Sequence, residues 1–152
     1  MPLLKPNPFR LIVSTVLLLA SSVYAMAASP LQTYRIAPSR IVIAGISSGG
    51  AMAVQMSVAY SRLFSGAAIY AGVPYYCAQD SEATALTSCE QNVPAISLAP
   101  LESTTEQYAK QGLIDPLSNL REQRIYLWSG LLDVTVRQPV MNQLEQYYTD
   151  LQ

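Results

Sequence analysis

Residues 41–50 leave little choice of local structure. Ile41, Val42, Ile43 and Ala44 form an apolar run, β-branched at three of its four positions, as in a strand of a buried sheet. The run leads straight into Gly45-Ile46-Ser47-Ser48-Gly49. Ala51, Met52, Val54, Gln55, Met56 and Val58 then read as a helix reaching about Tyr60 or Leu63. Strand, sharp turn and helix around Gly-x-Ser-x-Gly is the setting of a nucleophile elbow. Ser47 stands at its tip. Gly45 and Gly49 are expected on either side because a Cβ at either position would clash inside so tight a turn. The Ser48 N–H then lies at a helix N-terminus, where a developing oxyanion meets a donor and the positive end of the dipole. The plainer alternative is a Ser/Gly-rich helix cap; the apolar strand in front favours the elbow.

The first 27 residues read as a secretory signal peptide. Lys5 and Arg10 form its positive end, Leu11 to Ala20 its apolar core, and Ala25-Met26-Ala27 its cleavage site, with Val23-Tyr24-Ala25 as second choice. The apolar stretch is short for a bilayer, which needs about 20 residues. Residues 28–152 then form one catalytic domain that is secreted or periplasmic, with no membrane contact after cleavage. Export places Cys77 and Cys89 in an oxidising compartment. A disulfide between them would stabilise by on the order of 2–3 kcal/mol.

Along the mature chain, Ser65 to Gly72 reads as a second strand, small and apolar throughout, as in a parallel strand covered on both faces. Val73 to Pro100 holds both cysteines and several prolines and reads as an irregular surface excursion. A helix is expected over Glu102–Gln111, capped by Ser103 or Thr104, and a turn or short helix from Asp115-Pro116 to Leu120. Arg124 to Gly130 reads as a third strand. Gln138 to Leu151 reads as a helix with Pro139 in its first turn and Val140, Leu144, Tyr147, Tyr148 and Leu151 inward. Alternating strands and helices imply a parallel sheet with right-handed crossovers, and ligands then gather at the C-terminal strand ends.

Asp133 follows the third strand, where the acid of a Ser–Asp–His order belongs; a turn-forming Asp is the alternative. A serine hydroxyl needs a base to take its proton. The sequence has no histidine, so an intact triad cannot be assembled from it. Lys110 could act as base in a Ser–Lys arrangement, but nothing in the sequence brings it near Ser47. Removing Lys5 and Arg10 leaves a net charge of −3, with no basic patch, which excludes a nucleic-acid partner. No metal-ligand spacing is present, and no cofactor is expected. Oligomeric state is not legible.

Residues 38–53, Pro38-Ser39-Arg40-Ile41-Val42-Ile43-Ala44-Gly45-Ile46-Ser47-Ser48-Gly49-Gly50-Ala51-Met52-Ala53, resemble the nucleophile region of extracellular poly(3-hydroxybutyrate) depolymerases and related secreted esterases. Val58-Ala59-Tyr60-Ser61, Phe64-Ser65-Gly66, Ala71-Gly72-Val73-Pro74-Tyr75-Tyr76-Cys77 and Ser129-Gly130-Leu131-Leu132-Asp133-Val134-Thr135-Val136 extend the resemblance to about residues 38–150. It implies Ser47 as nucleophile, Asp133 as triad acid and the Ser48 N–H as one oxyanion donor. It also implies a partial α/β-hydrolase fold in circularly permuted form, starting at the elbow strand. About 20 residues between cleavage site and Ser47 are too few for the strands that otherwise precede the elbow. The family's histidine, second oxyanion donor and remaining strands are expected beyond Gln152, as in the front half of a depolymerase. Such a fragment would expose a sheet edge and be marginal or aggregation-prone. The rival readings are a non-catalytic exported remnant, or a binding protein whose ten tyrosines lie on polyester, and an esterase or peptidase of other acyl specificity.

Overall fold

The structure, a computed structural model, describes residues 30–152; the expected signal peptide lies outside them. Pro30–Arg35 holds no helix or strand, and the fold below concerns Ile36–Gln152. After a 3₁₀ turn at Pro38–Arg40 come strand β1 (Val42–Ile46), helix α1 (Ser48–Ala59) and strand β2 (Gly66–Tyr70). A short helical stretch spans Glu82–Cys89, and helix α2 spans Leu98–Lys110. A 3₁₀ helix (Leu117–Glu122), strand β3 (Arg124–Trp128) and helix α3 (Gln138–Leu151) complete the order.

The three strands are parallel in the order β1-β2-β3, with Ile46, Tyr70 and Trp128 level at their C-terminal ends. In-register residues of parallel strands share a side. Ile43, Ala67, Ile69, Ile125 and Leu127 therefore face the core with Ala53, Val54 and Val58 of α1, Leu101 of α2, and Met141, Leu144, Tyr147 and Tyr148 of α3. Among the described residues, that face alone is covered. The expectation that the second strand would be buried on both faces is corrected: Ala68 and Tyr70 are half-buried, and β2 is sheltered chiefly by its central place between β1 and β3.

Two buried phenols tie the helices together. Ser57 Oγ donates to the Val54 carbonyl at 3.1 Å, so its bond to Tyr148, at 2.7 Å, is donated by the tyrosine. Thr105 Oγ likewise donates to Leu101 O, and Tyr147 OH donates to Thr105 Oγ at 2.6 Å. The paired tyrosines thus serve the core rather than a binding surface. Tyr75 is buried too.

Helix α1 ends at Ala59, and α3 spans the residues expected. α2 starts at Leu98, four residues before the expected Glu102, and Ser97 rather than Ser103 or Thr104 occupies the cap position. The early start takes in Pro100, whose fixed φ and missing N–H are tolerated in a first turn. The excursion is less irregular than expected, since it contains the Glu82–Cys89 helical stretch and the start of α2. The Cys77–Cys89 disulfide is present.

Candidate active site

β1 delivers the chain to Ser47 in a backbone conformation that non-glycine residues seldom adopt, φ 56° and ψ −125°. The surroundings impose it. The Ser47 N–H donates to Tyr70 O at 3.0 Å, and its carbonyl accepts from Ala51 N at 2.9 Å. Such strain at a residue held from both sides is characteristic of functional turns. α1 begins at Ser48, so the Ser48 N–H belongs to the first turn, whose donors have no partner inside the helix. Among the described residues the Ser47 hydroxyl has no hydrogen-bond partner.

The glycines around the turn divide differently from expectation. A Cβ at Gly45 would overlap the Gly49 carbonyl, which explains that glycine. A Cβ at Gly49 would meet nothing within 4 Å, so the expected clash there is corrected. Gly50 takes the role instead: its Cβ would stand 2.6 Å from Tyr70 O and 3.3 Å from Gly45 O. It is Gly50, buried in α1, that lets the helix approach the strand ends.

Ser47 and Ser48 border a cavity of about 490 Å³, within the 300–1,000 Å³ usual for small-ligand sites. Ala51, Met52 and Gln55 of α1 form one side, and the disulfide loop from Tyr76 to Glu90 the other. The loop is fixed by the disulfide, by the Tyr76 N–H donating to Gln55 Oε1 at 3.3 Å, and by the edge-on contact of Tyr76 with Tyr108. Tyr76, Gln79 and Asp80 all have positive φ, at 57°, 48° and 59°. None is glycine, so the sequence offered no sign of this wall. Gln55 was equally silent there, as one polar residue in an apolar helix.

Asp133 lies in the turn after β3. Its N–H donates to Gly130 O, and its Oδ1 accepts from Thr135 N at 2.8 Å and Val136 N at 3.0 Å. One carboxylate oxygen is fully committed to the turn, while Oδ2 has no partner among the described residues. Asp133 does not border the cavity; Val136, which it anchors, does. Ser47 and Asp133 are not on adjacent strands, since β2 stands between β1 and β3. Two strand spacings separate the two tips by roughly 10 Å. Lys110 is exposed at the end of α2, paired with Glu106 at 3.2 Å, and does not border the cavity, so it is no substitute base. No group of three potential metal ligands occurs among the described residues.

Comparison with known proteins bears on the fold and the family. The model of the prolyl oligopeptidase family matches residues 21–152. A poly(3-hydroxybutyrate) depolymerase of Delftia acidovorans is 44% identical over 123 residues, covering 80% of this chain and 25% of the relative. A polyhydroxybutyrate depolymerase of Talaromyces funiculosus is 38% identical over 130 residues, covering 84% and 37%. A solved PHB depolymerase variant complexed with an R3HB trimer superposes with a TM-score of 0.72 at 33% identity, covering 81% and 37%. The resemblance seen in the sequence is thus borne out, and the fold is α/β-hydrolase-like. The chain spans between a quarter and just over a third of the length of these relatives.

Proposed function

The chain belongs to the prolyl oligopeptidase family, and from that premise we propose that it carries the nucleophile part of a secreted serine ester hydrolase acting on polyhydroxyalkanoates such as poly(3-hydroxybutyrate). Ser47 attacks the ester carbonyl, the Ser48 N–H receives the oxyanion, and Asp133 orients an imidazole that takes the Ser47 proton and returns it to the leaving alcohol. Water then releases the acyl group. None of the 152 residues is histidine, so the imidazole comes from outside them, and these residues alone are inactive. Residues 1–27 are the export signal and 28–152 the incomplete catalytic domain, in circularly permuted order from the elbow strand.

The observation that carries this proposal is the forced φ of Ser47, between β1 and the first turn of α1, at the edge of a cavity. The identity to named depolymerases supports the polyester substrate over other acyl groups.

The test is hydrolysis of p-nitrophenyl butyrate by the purified chain, with and without free imidazole. The expected result is no rate above background without imidazole, and a Ser47-dependent rate with it. A rate above that of free imidazole alone on the ester that survives Ser47→Ala overturns the proposal. No stimulation at all favours the non-catalytic exported protein.

A further inference from the structure

The side-chain amide of Gln55 is held at one end only. Gln55 borders the cavity together with Ser47 and Ser48. Its Oε1 accepts from the Tyr76 N–H of the opposite wall at 3.3 Å. A backbone N–H can only donate, so the amide oxygen must face it and the Nε2 group is the end left over. Nε2 has no partner among the described residues. The rest of the wall contrasts with it. Ala51, Val73 and Val136 are apolar, Glu82 and Glu90 offer carboxylate acceptors, and the Tyr76 hydroxyl donates to Asp80 Oδ2 at 3.3 Å. Gln79, the other amide of the lining, is exposed and has no partner among the described residues. A donor fixed before the ligand arrives loses less freedom on binding, which singles out Gln55.

Spacing sets what this donor can reach. Ser48 and Gln55 both lie in α1, and their separation in sequence corresponds to about 10 Å along the helix axis. Three backbone bonds of an extended peptide span about 3.3–3.6 Å, so the four bonds of a 3-hydroxyalkanoate repeat span about 4.5–5 Å. The distance from the oxyanion donor to Gln55 is therefore about two repeats. Each repeat carries one ester carbonyl, which accepts and never donates. We propose that Gln55 is a specificity-determining residue: its Nε2 donates to the carbonyl two repeats away from the one that Ser47 attacks. The cavity then selects a chain of three or more hydroxyalkanoate units over a single ester. The inference rests on the polyester reading above and deepens it, naming chain length as the property the site measures.

The test observes the Gln55 amide directly, by NMR of the isotope-labelled 152-residue chain titrated with the methyl esters of (R)-3-hydroxybutyrate monomer and trimer. Gln55→Glu assigns the side-chain signal by its disappearance. The trimer ester is expected to shift the Nε2 protons downfield, and the monomer ester at equal concentration to leave them in place. Gln55→Glu also separates the two ends of the side chain, since a carboxylate still accepts from the Tyr76 N–H but has no donor. It is expected to keep the Tyr76 amide resonance and to weaken trimer binding roughly threefold to tenfold, the worth of one hydrogen bond between neutral groups. A variant without the Tyr76 resonance has lost the loop, and the parent titration then decides alone. Trimer-induced shifts at the Ser47 and Ser48 amides that leave the Gln55 side chain unmoved overturn the proposal. So do equal affinities for monomer and trimer, a folded Gln55→Glu chain that binds the trimer as the parent does, and no trimer binding at all. The Ser47 reading is judged apart from these outcomes, because p-nitrophenyl butyrate carries a single ester unit too short to reach Gln55.

Discussion

Gly45→Ala and Gly49→Ala are one methyl group each, four residues apart in the same turn, and are expected to act in opposite directions. At Gly45 the new methyl overlaps the Gly49 carbonyl and lies roughly 1 Å inside van der Waals contact. Both colliding groups are backbone, so no rotamer change relieves them, and β1 must separate from α1. Overpacking costs about 1–3 kcal/mol where side chains can yield; here about 3–4 kcal/mol is expected, a large part of a stability of roughly 5–15 kcal/mol. At about 4 °C per kcal/mol the melting temperature falls by about 12–16 °C. At Gly49 the methyl meets nothing within 4 Å, and the residue lies inside α1 without positive φ. Alanine there restricts the unfolded chain and is expected to add about 0.4–1 kcal/mol, or about 2–4 °C. Thermal and urea unfolding followed by circular dichroism measure both. Gly45→Ala melting with the parent, or Gly49→Ala proving the more damaging, would refute the packing described for the elbow.

Other expectations follow from the same structure. Burial pushes the Tyr148 phenol up to about 12, against 10.0 in the open chain, and burial pushes Tyr147 higher still. A raised folded-state pKa contributes stability that is whole below pH 10 and lost as pH climbs through 12, on the order of 3 kcal/mol for Tyr148; urea midpoints flat across that window would contradict it. Tyr148→Phe removes the bond to Ser57 but leaves the Ser57–Val54 bond intact, and is expected to cost about 1 kcal/mol by urea unfolding. Replacing Cys77 and Cys89 by alanine is expected to cost about 2–3 kcal/mol and to speed amide exchange in the loop from Tyr76 to Glu90 that walls the cavity. Asp133→Asn keeps an acceptor for Thr135 and Val136 N–H, so folding is expected to persist while imidazole-assisted hydrolysis falls roughly tenfold or more.

How much could be read in advance varied with the physics involved. The β1–Ser47–α1 unit was legible because its apolar run, turn and helix are all local, and α3 because Pro139 and its inward spacing agree. The glycine roles were not: whether a Cβ collides depends on how closely α1 approaches Tyr70, and that exchanged Gly49 for Gly50. The start of α2 lies inside the stretch that reads as an excursion, because Pro100 stands in the first turn, where its fixed φ and missing N–H cost nothing. The cavity wall was invisible because Tyr76, Gln79 and Asp80 take positive φ without being glycine. Asp133 lies in the turn after β3, as its place in the sequence suggests, but the strand between it and Ser47 is a property of sheet order. The covering of one sheet face among the described residues follows from the same fact, since no single strand records which of its sides is covered.

The central claim is that Ser47 is an attacking hydroxyl set at an oxyanion site and lacking only its base. Its most direct test is a fluorophosphonate probe, with the modified residue mapped by mass spectrometry. The expected result is slow labelling of the purified chain, accelerated by free imidazole, confined to Ser47 and slowed by Asp133→Asn. Labelling spread over Ser48, Ser81 and other serines, or a rate at Ser47 indifferent to imidazole, would contradict it.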